Sequence, residues 1–133
     1  MKTKLRTVVL TLCLVVLMAS MAVSVLGTEV TFSKKYVDSN TYSGIAAATK
    51  ETTTTTACVY ISAIYKADGS ASTYSRLHAM ATYVGESKVI RSGRSTDIPI
   101  PADYQGAGNY IVLYLMGYDP SLDCRVSGSW SVH

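Results

Sequence analysis

Residues 108–132, GNYIVLYLMGYDPSLDCRVSGSWSV, carry the clearest alternation of residue types in the chain. Successive side chains of a β-strand point to opposite faces, so residues of like character two positions apart predict a strand with two different sides. In the first half of the stretch, one side is aliphatic, with Ile111, Leu113 and Leu115. The other side is amphipathic and carries Tyr110, Val112, Tyr114, Met116 and Tyr118.

Residues 119–121, Asp-Pro-Ser, separate this strand from a second one. Proline removes a backbone donor, and Asp and Ser bond to their own main chain, so the three residues predict a turn. The apolar side of the second strand has Leu122, Cys124, Val126, Gly128, Trp130 and Val132. The polar side has Asp123, Arg125, Ser127, Ser129, Ser131 and His133. We therefore expect an antiparallel strand with one solvated side and a core that closes around these two strands.

The rest of the chain shows the same kind of pattern. Residues 52–66 are rich in β-branched and aromatic residues and predict a strand whose core side is Ala57, Val59, Ile61, Ala63 and Tyr65. Residues 74–84 predict another, with Leu77, Ala79, Ala81 and Tyr83 inward. Residues 97–101 contain two prolines, which favours an edge or a connector. Six to eight short strands without an amphipathic helix predict an all-β, antiparallel sandwich.

The layout of six to eight short strands separated by turns resembles an immunoglobulin-type sandwich in outline, and the predicted domain also has two cysteines, Cys58 and Cys124. It departs from that family in two places. Trp130 follows the second cysteine instead of lying between the two, and Leu122 stands two positions before Cys124, where the family has tyrosine. The resemblance therefore implies the two-sheet architecture and no functional residue.

The amino terminus has the layout of a secretory signal peptide. Lys2, Lys4 and Arg6 precede an apolar run that is followed by small residues. We expect a helical signal segment over residues 1–27, cleaved after Gly27 or, as a second candidate, after Ala22, and a secreted domain over residues 28–133. The alternative is an uncleaved membrane anchor, because the apolar run approaches the length of a membrane span.

The charge of the mature domain argues against a nucleic-acid partner. The chain has 12 Lys and Arg against 9 Asp and Glu. Three of the basic residues lie in the signal segment and no acidic residue does, so the mature domain is formally neutral. The excess of positive charge therefore belongs to the export signal, and no basic stripe remains to follow a phosphate backbone.

Cys58 and Cys124 are the two cysteines of the mature domain. An even number in an exported chain predicts a disulfide, which would contribute roughly 4 kcal/mol for a loop of this length. The alternative is two free thiols. The strand patterns place Cys124 on an apolar side and Cys58 on a less apolar one. A disulfide would then need a strand covered on both sides, a bulge near Ala57, or a pairing at a sheet edge.

The residues needed for catalysis or metal binding are sparse. His78 and His133 are the only histidines. His133 is a poor place to hold a base, and His78 is expected to be an ordinary exposed strand residue. Asp119 and Asp123 are explained by turn formation. We therefore predict no enzyme activity, no metal site and no cofactor.

The candidate binding face consists of Tyr110, Tyr114 and Tyr118, on one side of a single predicted strand, and of Tyr60 if its strand is a neighbour. A row of amphipathic rings suits contact with a protein, a glycan or a membrane interface. The alternative is that the row is a second buried face of the sandwich.

From these observations we expect a small secreted or surface-exposed bacterial protein that binds a protein or glycan ligand, or the envelope surface, without catalysis, either as a monomer or as a homo-oligomer. Membrane contact would involve only the signal segment or the tyrosine face. The alternative is a secreted bacteriocin-like or membrane-active antimicrobial protein.

Overall fold

The structure, a computed structural model, describes residues 28–83, 85–120 and 122–133. The signal peptide predicted for residues 1–27 lies outside this part. The described strands, in chain order, are β1 (Thr28–Val37), β2 (Ser43–Thr49), β3 (Thr56–Lys66), β4 (Arg76–Ala81), β5 (Lys88–Arg91), β6 (Ser95–Pro99), β7 (Tyr110–Gly117) and β8 (Cys124–Val132). The one described helical element is a single 3₁₀ turn, Ala102–Tyr104.

The strands form two four-stranded antiparallel sheets, as an all-β sandwich requires. The first sheet has the order β1-β8-β3-β6, and the second has the order β2-β7-β4-β5. This is the strand order of a jelly roll. In an immunoglobulin domain the first two strands lie in one sheet, whereas here β1 and β2 lie in different sheets. The sandwich is therefore confirmed, and the resemblance to immunoglobulin domains does not extend to strand order.

The core closes around β7 and β8, which are inner strands of the two sheets. The inward residues of β7, Ile111, Leu113 and Leu115, are fully buried. On β8, Val126 and Trp130 are fully buried as well. Each such side chain stabilises the fold by about 1.5–3 kcal/mol through the removal of apolar surface from water. The alternation at residues 108–132 therefore predicts the correct inward side of both strands.

A β-bulge in β3 reverses the predicted sides of its second half. The pairing with β8 shifts between Ile61 and Ala63, next to Gly128. A Cβ atom on Gly128 would lie 2.0 Å from the Tyr60 carbonyl oxygen, so only glycine allows the two strands to approach here. Beyond the bulge Ile64 is buried, and Ala63 and Tyr65 do not point into the core as predicted. The bulge also lies several residues from the position considered near Ala57.

Strand β4 ends at Ala81, earlier than the sequence pattern predicts. Thr82 has a φ of 60°, in the left-handed region, which turns the chain out of the strand. The Gly85 amide then donates a hydrogen bond to the Thr82 carbonyl at 3.2 Å and closes the turn. As a result Tyr83, which was expected to point inward, is 71% exposed.

The predicted disulfide between Cys58 and Cys124 is wrong: both thiols are free. On the β3–β8 pair, Cys58 lies opposite Ser131, whereas Cys124 lies opposite Lys66. The two cysteines are thus at opposite ends of the strand pair, about 23 Å apart at the rise of a β-strand. A disulfide needs Cα atoms within about 7 Å. The sequence pattern already placed them on different sides, and the structure agrees, with Cys124 buried and Cys58 half-buried.

Candidate functional site

The outer side of the second sheet carries the tyrosine row of β7. We call this surface the aromatic face and define it by its outward residues: Tyr110, Val112, Tyr114, Met116 and Tyr118 from β7 and its end, His78 and Met80 from β4, and Val89 from β5. Tyr110 is 64% exposed and Tyr118 is 44% exposed. The row therefore does not form a second buried face in the described chain.

Tyr60 does not belong to this surface. It lies on β3 in the first sheet, opposite Ser129 and Ser95, on the other side of the sandwich. We call that side the polar face and define it by Glu29, Thr31, Cys58, Tyr60, Ser95, Asp97, Arg125, Ser127, Ser129 and Ser131. The prediction that Tyr60 joins the other three tyrosines is wrong, because sheet membership depends on long-range pairing that a strand pattern does not encode.

Two further tyrosines, Tyr42 and Tyr83, add to the aromatic face. The Tyr42 hydroxyl hydrogen-bonds the Ser87 hydroxyl in the β4–β5 loop, so its ring extends from the start of β2 towards that loop. The Tyr83 ring packs edge-on against Tyr114 with 5.7 Å between ring centroids. Met80, although it points outward, is only 5% exposed. The strand patterns do not predict either tyrosine on this face, because Tyr42 precedes β2 and Tyr83 follows the end of β4.

A basic and aromatic cluster lies at one end of the aromatic face. The Arg76 guanidinium lies 5.3 Å from the centroid of the Tyr118 ring, within the range of a cation–π contact, and also donates a 3.4 Å hydrogen bond to the Tyr118 hydroxyl. The His78 ring stacks on Tyr118 with 5.3 Å between centroids. His78 is therefore half-buried in a ring stack and is less exposed than predicted.

The second sheet carries no acidic residue in any of its four strands. Its outward charged residues are Arg76 and Arg91, which lie directly opposite each other on β4 and β5. Like charges in this position repel. The first sheet differs, because β1 contains Glu29 and β6 contains Asp97. The aromatic face is thus an apolar surface with a positive end.

Strand β7 can contact a partner through its side chains but not by pairing along its main chain. The strand pairs with β2 over residues 110–115 and with β4 over residues 113–117, so it is an inner strand of its sheet. A buried inner strand cannot extend a sheet by pairing with another chain. The apolar sequence YIVLYLM therefore presents a row of side chains without offering an unpaired strand edge.

A small cleft opens beside the basic cluster, between the β3–β4 and β7–β8 loops. Its volume is about 190 Å³, and it is lined by Thr73, Tyr74, Ser75, Arg76, Gly117, Tyr118, Asp119, Leu122 and Cys124. Cys124 is buried at its inner end. Burial, with a smaller contribution from the neighbouring Asp123 carboxylate, raises the pKa of the Cys124 thiol to about 11. The thiol is therefore neutral near pH 7 and is a poor nucleophile.

The two histidines do not come together. His78 lies on the second sheet, and His133 follows β8 of the first sheet, where its Nε2 atom is 3.3 Å from the Ser131 hydroxyl. Within the described part of the chain, no three His, Cys, Asp or Glu residues are grouped so that they could hold a metal ion. Among the same residues, no helix is long and apolar enough to cross a membrane.

Lys50 is a buried charged residue at the opposite end of the sandwich, 1% exposed. Burial lowers the pKa of its amine. The Nζ atom donates to the Thr54 carbonyl at 3.1 Å, to the Thr54 hydroxyl and to the His133 main-chain oxygen at 3.2 Å. These acceptors come from the β2–β3 loop and the end of β8, so Lys50 joins the two segments. With its hydrogen bonds used in this way, Lys50 has a structural role.

Comparisons with models of known protein families, with curated proteins and with solved structures found no match. The jelly-roll order supports many unrelated activities, so the fold does not indicate one. The aromatic face and the cleft beside it are the two features of the described chain that bear on function.

Proposed function

We propose that this protein is an exported binding module, without catalysis of its own, that recognises a partner protein through the aromatic face. The observation that carries the proposal is the row of Tyr110, Tyr114 and Tyr118, in which Tyr110 and Tyr118 are exposed and Tyr114 is half-buried, along a strand that pairs with a neighbour on each side. Contiguous exposed apolar surface on a soluble domain commonly marks an interaction site.

The composition of the aromatic face favours a protein partner over a glycan. Tyrosine, methionine and arginine are enriched at the centres of protein interfaces, and acidic residues are depleted there. Val112 and Val89 next to the rings cannot hydrogen-bond a sugar hydroxyl, and the Met116 thioether is only a weak acceptor. A bound glycan would lose water from its hydroxyl groups without gaining replacement hydrogen bonds over most of this surface.

Export of the protein to the bacterial surface or the medium is part of the same proposal. It rests on the basic and apolar layout of residues 1–27, with cleavage after Gly27 or Ala22. An uncleaved segment would instead hold the sandwich at a membrane.

The test measures binding of the fluorescently labelled protein to intact cells of the producing strain. We expect binding that is lost when the cells are treated with protease and kept when their glycans are oxidised with periodate. The double variant Tyr114→Ser, Met116→Ser should reduce binding at least about tenfold, as expected for the centre of an interface. The matched control Tyr60→Ser changes a tyrosine of the polar face and should bind normally.

Other outcomes would contradict the proposal. Loss of binding after periodate, with no effect of protease, would indicate a glycan ligand. Binding to vesicles of phosphatidylglycerol and phosphatidylcholine with release of a trapped dye would indicate the membrane-active alternative. Equal loss of binding in the Tyr60→Ser control would show that the aromatic face is not the binding surface. Turnover of a peptide or glycan that is lost on His78→Ala would show catalysis.

A further inference from the structure

We propose that the cleft beside Arg76 is an anchor pocket that receives one apolar side chain, aliphatic or phenyl, from a ligand that also carries a neighbouring carboxylate. The proposal rests on the proposed function, because it places the anchor of the partner protein at one end of the aromatic face. Tyr118 and Arg76 belong both to that end and to the lining of the cleft. The two surfaces are therefore continuous.

The volume of the cleft indicates how large a ligand group can bind in it. At about 190 Å³ it is smaller than the pockets that enclose a whole drug-sized ligand, which begin near 300 Å³. It is slightly larger than a cavity of about 150 Å³ that holds one benzene ring. Tyr74, Tyr118, Leu122 and Cys124 supply an apolar interior. These dimensions fit a single phenyl or branched aliphatic side chain.

The charge around the cleft indicates which group of the ligand lies next to the bound apolar side chain. Arg76 contributes a guanidinium to the lining, and Arg91 lies directly opposite it on β5. No strand of the second sheet carries an acidic residue, so the positive end is not neutralised within its own sheet. Asp119 also lines the cleft, in the β7–β8 loop, where its carbonyl accepts a 3.1 Å hydrogen bond from the Leu122 amide. A ligand carboxylate is therefore expected on the side of Arg76 and away from Asp119.

The walls of the cleft are held in place before any ligand binds. The β7–β8 loop is tied to the β1–β2 loop, because the Ser39 amide donates to the Asp123 carboxylate at 2.9 Å and the Ser39 hydroxyl donates to the Pro120 carbonyl at 2.9 Å. On the other wall, the Ser92 amide donates to the Ser75 carbonyl at 3.0 Å. A preformed pocket loses little conformational freedom on binding, which favours its use as an anchor site.

The experiment is a titration of the purified protein, followed by ¹H–¹⁵N NMR, with N-acetylphenylalanine, its neutral amide and N-acetylglycine. We expect the two phenyl probes to shift the amides of Tyr74, Gly117 and Leu122, with dissociation constants on the order of millimolar, as expected for ligands of this size. N-acetylglycine should leave these amides unchanged. The acid should bind about threefold more tightly than the amide, because the Arg76 charge is near the surface.

Variants separate the two parts of the proposal. Arg76→Gln should remove the preference for the acid and keep binding of the amide. Ser75→Trp should fill the cleft and abolish binding of both; Thr73→Phe serves the same purpose if Ser75→Trp does not fold. Tyr60→Ser, on the polar face and outside the cleft lining, is the matched control and should bind both probes normally. No shifts at the three amides, or shifts that survive both filling variants, would overturn the pocket. Equal affinity for acid and amide in the wild-type protein would overturn the charge selection.

The outcome is independent of the cell-binding assay. Tyr114→Ser should lose cell binding and keep N-acetylphenylalanine binding. If N-acetylphenylalanine binds and substitutions in the aromatic face leave cell binding unchanged, the proposed function fails. The cleft is then a site for small molecules. If cell binding depends on the face and the probe does not bind, the pocket inference fails alone.

Discussion

The two outer faces of the sandwich differ in what their side chains contact. On the polar face, Arg125 donates to the Ala67 carbonyl at 2.8 Å and to the Lys34 carbonyl at 3.2 Å. The Ser127 hydroxyl accepts the Lys34 amide at 2.9 Å. The aromatic face instead leaves much of Tyr110 and Val89 in water. Polar side chains that already bond the main chain gain little from a partner, whereas an exposed apolar face gains free energy when a partner covers it.

The largest expected difference in stability between the two sheets concerns one glycine in each sheet. Gly128→Ala would place a Cβ atom 2.0 Å from the Tyr60 carbonyl oxygen. We expect the free energy of unfolding to fall by more than about 4 kcal/mol, because two paired strands of the first sheet must separate. The matched control is Gly44→Ala on the second sheet, where the new atom lies 3.5 Å from Val112 and the change should be within about 1 kcal/mol. Urea unfolding measures both, and equal losses would contradict the close approach at the bulge.

The second difference concerns the thiols. Cys58 is half-buried on the polar face, whereas Cys124 is buried and its pKa is raised to about 11. At pH 8 only about one Cys124 thiol in a thousand is ionised. We expect iodoacetamide to modify Cys58 in the native protein at least about 100-fold faster than Cys124. Peptide mapping by mass spectrometry, without a reducing agent, measures both rates. If neither cysteine reacted with iodoacetamide until a reducing agent was added, the two would form a disulfide, and the strand register would be contradicted.

These two experiments test the parts of the fold that local sequence does not predict. The inward residues of β7 and β8 follow from alternation alone, because each strand stays regular over the predicted stretch. Alternation does not predict which residues of β3 point inward after Ile61, because the bulge there depends on Gly128, which is distant in sequence. The same limit applies to the disulfide, which was predicted from the number of cysteines and fails because of the register between β3 and β8.

In the candidate site, too, some features follow from one segment of sequence and others depend on how distant strands pair. The tyrosine spacing predicts that Tyr110 and Tyr114 share one side of β7, which the structure shows, and Tyr118 directly follows the last residue of the strand. Tyr60 could be assigned to the polar face only after the order of strands was known. The cleft is assembled from the β3–β4 loop, the end of β7 and the start of β8. No pattern within a single segment could have indicated it.

The third difference is the response of stability to pH. On the polar side, the Tyr36 hydroxyl donates to the Asp123 carboxylate, which lowers the pKa of Asp123 below 3.8 and raises that of Tyr36 above 10.0. A lowered carboxyl pKa contributes stability above pH 3.8 that is lost as the pH falls through the folded-state value. A raised tyrosine pKa contributes stability below pH 10.0 that is lost as the pH rises through the folded-state value.

Asp123→Asn should therefore be less stable than the wild-type protein between these limits and should approach it at both extremes. Thermal unfolding across the pH range measures the difference. The control is Met116→Ala on the aromatic face, which removes no titratable group and should shift stability by a constant amount. A constant difference for Asp123→Asn as well would show that the Tyr36–Asp123 hydrogen bond does not form in solution.

The smallest expected effect is at the most exposed residue of the tyrosine row. Tyr110→Ser removes a ring that is 64% exposed, so we expect the free energy of unfolding to change by no more than about 0.5 kcal/mol. Its neighbour Ile111 points into the core, and Ile111→Ala should cost about 2–5 kcal/mol. Urea unfolding at several protein concentrations compares the two. A loss for Tyr110→Ser that approaches the loss for Ile111→Ala and grows with concentration would mean that a second copy of the chain buries the ring. The aromatic face would then join copies of this protein to one another, and a different partner would have to compete with that contact.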